Sequence, residues 1–142
     1  MVINKIEIAR MQLDTAISLF LSDTDSISSL TLAGASEEIL GKLLERDGND
    51  SMLKKLHAWY EETSGEEIKY AEFAHKANLA RNCLKHVSVK EEDELEIYKW
   101  ETVQLIMRAM TNYKELTGDP SEKMKEMAAW IKENKDTYQT IE

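Results

Sequence analysis

Apolar residues recur along this chain at the three-and-four spacing of an α-helix and almost nowhere alternate as in a β-strand. With one Pro and five Gly there are few breaks, and Gly48, Gly65, Gly118 and Pro120 fall where the helical pattern ends. Ile6, Leu13, Ile17 and Phe20 predict a helix over 3–22, although "VINKIEI" alternates weakly at its start. The polar "SDTDS" supplies N-cap candidates for a second helix, 26–46, carrying Ile27, Leu30, Ile39, Leu40, Leu43 and Leu44. In its middle, "LAGASEE" sets small residues where another backbone could approach closely. "RDGND" ends it, with Asn49 or Asp50 capping a third helix over 51–63 that carries Leu53, Leu56, Trp59 and Tyr60. Ser64 and Glu67 form a capping-box pattern ahead of a fourth helix, 66–87. A fifth follows over 91–117. Gly118 then serves as stop, Asp119 as N-cap and Pro120 as first residue of a sixth over 120–134, with Met124, Met127 and Ile131 inward. No repeat, low-complexity tract or linker divides residues 1–142. The expectation is one all-α domain, an antiparallel bundle of five to six helices.

Charge narrows the partners. The net charge of −9 disfavours wholesale coating of nucleic acid or anionic membrane. No apolar run is long enough for a membrane span and "MVINKIEIAR" has no apolar signal core, so a cytoplasmic location is expected. The single Cys83 forms no intrachain disulfide.

Two helices carry more than core-forming pattern. On the fifth, Leu95, Tyr98, Leu105, Ile106, Ala109 and Tyr113 form one stripe. Trp100, Val103, Met107 and Met110 form another, turned by about a quarter turn. Such a helix is packed on both sides, or lends one stripe to a second subunit. On the fourth, Phe73, Ala77, Ala80, Cys83, Leu84 and Val87 fall on an expected core face. His75, Asn78, Arg81, Asn82, Lys85 and His86 fall on the other, within a window, "HKANLARNCLKHVSVK", that holds Lys76 and Lys90 and no acid. Solvated helix faces usually mix signs, and asparagine is a poor mid-helix residue. A cationic, hydrogen-bonding face without acids is what a phosphodiester would require.

The stretch "RNCLKH", residues 81–86, resembles the Arg–polar–three-residues–His signature of HEPN domains, and "TLAGASEEILGKLL" resembles the small-residue, Glu-containing helix near the start of many of them. The resemblance implies a HEPN-like helical bundle acting as a homodimer or higher homo-oligomer. It implies a metal-independent endoribonuclease, without cofactor, in which two motifs face one cleft and a ribose 2′-OH attacks the adjacent phosphate. Arg81, Asn82 and His86 would be catalytic: His86 as general base, Arg81 on the phosphate oxygens, Asn82 orienting either. Lys85, Asn78, His75 and Lys76 would bind substrate RNA. The alternative is a non-catalytic module binding a nucleotide or a protein partner, including a cognate partner as in toxin–antitoxin-like pairs.

Other constellations are weaker. Glu72 and His75 form a single Glu-x-x-His where di-iron bundles use two, beside cations that repel a metal, so no metal site is expected. His57 and Glu61 pair at i,i+4, as a surface contact beside Trp59 and Tyr60. Cys83 is expected to be a small hydrophobe at the core edge. Of Glu37 and Glu38, either one is solvated and the other pairs with a base from a neighbouring helix, or one stands opposite Arg81 and holds it across the bundle; the spacing leaves both open.

Overall fold

The computed structural model describes residues 1–87 and 93–138, which are all-helical. Eight helices follow in order: α1 (Lys5–Ser22), α2 (Ser26–Arg46), α3 (Met52–Ser64), α4 (Tyr70–Ala77), α5 (Leu79–Cys83), α6 (Lys99–Thr117), α7 (Glu122–Glu133) and α8 (Lys135–Tyr138). Among the described residues no helix is long and apolar enough to cross a membrane.

The first two helices have side-chain N-caps. Asn4 Oδ1 accepts the Glu7 amide at 2.8 Å, and Asp25 Oδ1 accepts that of Ser28 at 2.9 Å. The Asp25 carboxyl is held below the ordinary carboxylate range by the Ser28 hydrogen bonds. Between the helices Asp23 takes a left-handed conformation, φ 55°, and returns its N–H to the end of α1. The turn lays α2 along α1. Small residues keep the pair close: Ser29 Oγ donates to the Ala16 carbonyl at 2.7 Å and Ser36 Oγ to the Ala9 carbonyl at 2.8 Å, all four residues being buried. These hydroxyls satisfy themselves on the neighbouring backbone, where a larger residue would hold the helices apart.

On its other side α2 packs against α6. Leu105, Ile106, Ala109 and Tyr113 enter the core with Val103, so α6 is central and buries parts of both sequence stripes. Met107, by contrast, is exposed, as are Leu95 and Tyr98 before the helix. α7 closes the core over α1 with Met124 and Met127, both wholly buried, and Trp130 meets Phe20 edge-on at 4.8 Å between ring centroids.

Five sequence expectations are corrected. The helix expected over 66–87 is two: Gly65, at φ 71°, ends α3, residues 66–69 are not helical, α4 opens only after Lys69, and Asn78 separates α4 from α5. Ser64 belongs to the preceding helix, donating to the Tyr60 carbonyl at 2.7 Å, so the expected capping box does not form. The helix expected from 91 begins at Lys99. There the Glu101 carboxylate accepts the Tyr98 amide at 2.8 Å, while residues 88–92 lie outside the described part. The cap of α3 is Ser51 and that of α7 is Ser121: each hydroxyl reaches the amide three residues on, at 3.3 Å. Ser121 Oγ also donates to Asp14 of α1 at 2.6 Å, a tie that Asp119 does not make. Finally, Ile27 and Trp59, expected in the core pattern, are 48% and 59% exposed.

Asn112 of α6 is fully buried, and its Oδ1 accepts the Met52 amide, 2.8 Å away, in the first turn of α3. Asn112→Ala leaves that amide without its partner and is expected to cost about 1–3 kcal/mol in urea denaturation. The exposed neighbour Thr111→Ala should stay within about 0.5 kcal/mol.

Candidate functional site: two arginines on one buried carboxylate

At the centre of the molecule lies Glu37 of α2, 3% exposed. Its two oxygens serve different arginines. Oε1 accepts from Arg108 of α6, at 2.8 Å from Nη2 and 3.3 Å from Nε. Oε2 accepts from Nη1 of Arg81, on α5, at 3.2 Å. Arg108, also 3% exposed, gives its other donors to the break between α4 and α5: Nη1 to the Ala77 carbonyl at 3.3 Å and Nη2 to Asn78 Oδ1 at 2.7 Å. Three helical elements thus converge on a single charge. The Ala77 carbonyl is one of those that a helix end leaves unpaired, and a guanidinium there also faces the negative end of α4.

Arg81 reaches Glu37 by lying across Gly34. A Cβ at that position would stand 2.5 Å from both Cγ and Cδ of the arginine, so the glycine is required as space for this side chain. The second, looser partner of Arg81 is Glu38 at 3.9 Å, which also lies 4.0 Å from Lys85. Glu37 and Glu38 therefore both face the arginine helix: Glu37 pairs with Arg108 of α6 and also holds Arg81, while Glu38 is half-buried and not simply solvated.

The basic stretch is not a free cationic face. Arg81 is held by Glu37, Lys85 stands beside Glu38, and Lys76 stands 3.6 Å from Glu72. Asn78 is buried, Asn82 is half-buried, and His75, Lys76, Lys85 and His86 are exposed. The interruption at Asn78 also changes the faces. Ala77 and Val87, expected in the core, are exposed, whereas Asn78 turns inward to Arg108. Lys90 lies outside the described residues.

Two clefts meet at Arg81. The larger, about 370 Å³, runs between α4 and α6 and is walled by Tyr60, Phe73 and Trp100, with Lys76, Arg81 and Arg108 among its polar residues. The smaller, about 230 Å³, opens toward Glu37, Glu38, Glu45 and Tyr70. Burial pushes the Tyr70 phenol above its ordinary pKa of 10.0, and the charge of Glu45 adds to the shift. A phenol whose pKa is raised on folding contributes stability that is present below pH 10 and lost as pH climbs through the folded value. Tyr70→Phe should remove this part of the alkaline loss, read as a flatter decline of the melting temperature above pH 10.

His57 is not the surface contact expected from its spacing. The ring is largely covered, packs on Tyr70 and Phe73 with centroids 5.6 and 5.3 Å away, and lies 2.6 Å by Nε2 from the Ile68 carbonyl. Its i,i+4 partner Glu61 stands at 3.5 Å and accepts the Ile68 amide at 3.2 Å. Together the pair ties the 66–69 connection to α3. Cys83 is free and half-buried. Among the described residues no three His, Cys, Asp or Glu side chains converge as metal ligands.

Arg108 is the residue that sequence reasoning missed. Its signal was phase: it sits one turn after Leu105, beside Ala109, and four residues before Asn112, all buried. Glu37 likewise falls between Ala33 and Leu40. A charge in register with an apolar stripe on each of two packed helices marks a buried pair.

Glu37→Gln strands two covered guanidiniums and is expected to cost about 3–5 kcal/mol by chemical denaturation. Glu38→Gln, on a half-exposed side chain with only loose partners, should cost under about 1 kcal/mol. Gly34→Ala should cost about 1–3 kcal/mol through overpacking.

Comparison of the chain with protein-family models, with curated proteins and with solved structures returns no match in any of the three.

Proposed function

We propose that the chain is a non-catalytic HEPN-like helical module that works by binding, with its Arg81 helix built into the fold. The observation that carries this reading is the state of Arg81. A residue that receives a scissile phosphate must offer its N–H fork to the ligand. Here one arm is held by the covered carboxylate of Glu37, the Cβ–Cδ stem is pressed on Gly34, and Glu38 stands beside it. To take the whole fork, as in-line cleavage asks, a phosphodiester would have to displace a carboxylate already in place, leaving Glu37 buried with one partner fewer.

The second reading is the metal-independent endoribonuclease with a composite site at a homodimer interface. It draws support from the outer end of the motif, where His86 is exposed and Asn82 is half-buried. In that arrangement His86 would act as general base and Arg81 would contact phosphate from one edge while Glu37 held the other.

The two readings separate in one assay. Purified protein is incubated with a structured RNA and its all-deoxy counterpart in excess chelator, beside His86→Ala. No cleavage above buffer by either protein is the expected result. Cleavage of the RNA alone, by wild type and not by His86→Ala, would overturn the proposal and establish the ribonuclease.

A further inference from the structure

The larger cleft is built unlike the rest of the surface. Tyr60 and Phe73 lie together on one wall, 5.7 Å between ring centroids, and Trp100 stands on α6 among the residues lining the same space. At about 370 Å³ the cleft falls at the small end of the range for small-molecule sites. Its apolar walls end on cations: Arg81 and Arg108 of the buried cluster, and Lys76. Two guanidiniums share the fully buried carboxylate of Glu37, Glu38 stands at a looser 3.9 Å from Arg81, and Nε of Arg81, buried, has no hydrogen-bond partner among the described residues. Among the described residues Lys76 pairs with Glu72, which is exposed. Among the described residues of the wall the one acid, Glu101, accepts the Tyr98 amide.

From this geometry we infer that the cleft binds a small planar aromatic ring carrying one carboxylate or phosphate. The ring lies among Tyr60, Phe73 and Trp100, and the anion is directed to Lys76 and the outer edge of Arg81. Aromatic faces hold a flat ring by stacking and edge contacts, and the anion supplies Lys76 and the cleft edge of Arg81 with a closer counter-charge than the exposed Glu72 and the looser Glu38. The inference rests on the reading of the chain as a binding module and names the class of its ligand. Arg81 keeps its bond to Glu37 while the ligand meets it from the cleft side.

The test is calorimetric titration with two pairs of probes: indole-3-carboxylate against indole-3-carboxamide, and adenosine monophosphate against adenosine. Each pair holds the ring and removes the charge, and comparing the pairs distinguishes a carboxylate source from a phosphate source. At least one anion is expected to bind tenfold or more tighter than its neutral analogue. Lys76→Gln and Trp100→Leu should each weaken it severalfold, and Trp59→Leu, on an exposed tryptophan outside the cleft, should leave it unchanged. Circular dichroism melts confirm that each variant is folded. Equal affinity of anion and neutral analogue, no binding of any probe at millimolar concentration, or equal weakening by Trp59→Leu would overturn the inference. None of these results bears on RNA cleavage, which alone decides the underlying reading.

Discussion

The arrangement of α2, α4, α5 and α6 depends on one carboxylate. Glu37 stands where the helical phase demands an apolar residue, and a lone buried carboxylate is not tolerated in a protein interior. It is stabilised because two guanidiniums from different elements converge on its separate oxygens. Such a cluster is a poor source of net stability, since desolvating its members offsets much of their attraction. Its effect is positional. Any displacement of α5 or α6 by an ångström or two leaves a buried charge unpaired, so the cluster fixes where those elements sit.

Local features fall into line with this requirement. The break at Asn78 presents a carbonyl and a side-chain amide to Arg108, which a continuous helix would not do. Gly34 leaves room for the Arg81 stem. Along the opposite side of α2, Ser29 and Ser36 draw α1 close through its own carbonyls. The segment "TLAGASEE" thus does two jobs: its small residues admit α1 and an arginine stem, and its acids neutralise the basic helix. The acid-free character of residues 75–87 has its explanation there. Its counter-charges come largely from α2, far away in sequence, which a local search for acids does not find.

Helical periodicity was enough to place α1 and α2 within a residue or two, because apolar spacing and side-chain caps agree there. It failed where a tertiary contact decides. Ser64 and Glu67 match a capping box, yet Gly65 turns the chain and the His57 ring anchors the Ile68 carbonyl, so the next helix starts later. Asp119 and Ser121 are both acceptable caps by residue type. The serine takes the position because its hydroxyl also meets Asp14. In the candidate site, Arg81 and its acidic partners were legible as candidates, whereas Arg108 was hidden as one polar residue among many on a long helix. Reading Asn78 as solvent-facing assumed a regular helix through a residue that interrupts it.

The claim on which the rest turns is that Arg81 and Glu37 are energetically coupled. A double-mutant cycle of Glu37→Gln and Arg81→Gln, followed by urea denaturation, measures this term with the changes to each residue's own surroundings cancelled. The account predicts a coupling of about 1–3 kcal/mol, as for residues in one buried charge network. Additivity within about 0.3–0.5 kcal/mol would contradict it, and would mean that Arg81 is free to serve a ligand as its sequence context first indicated.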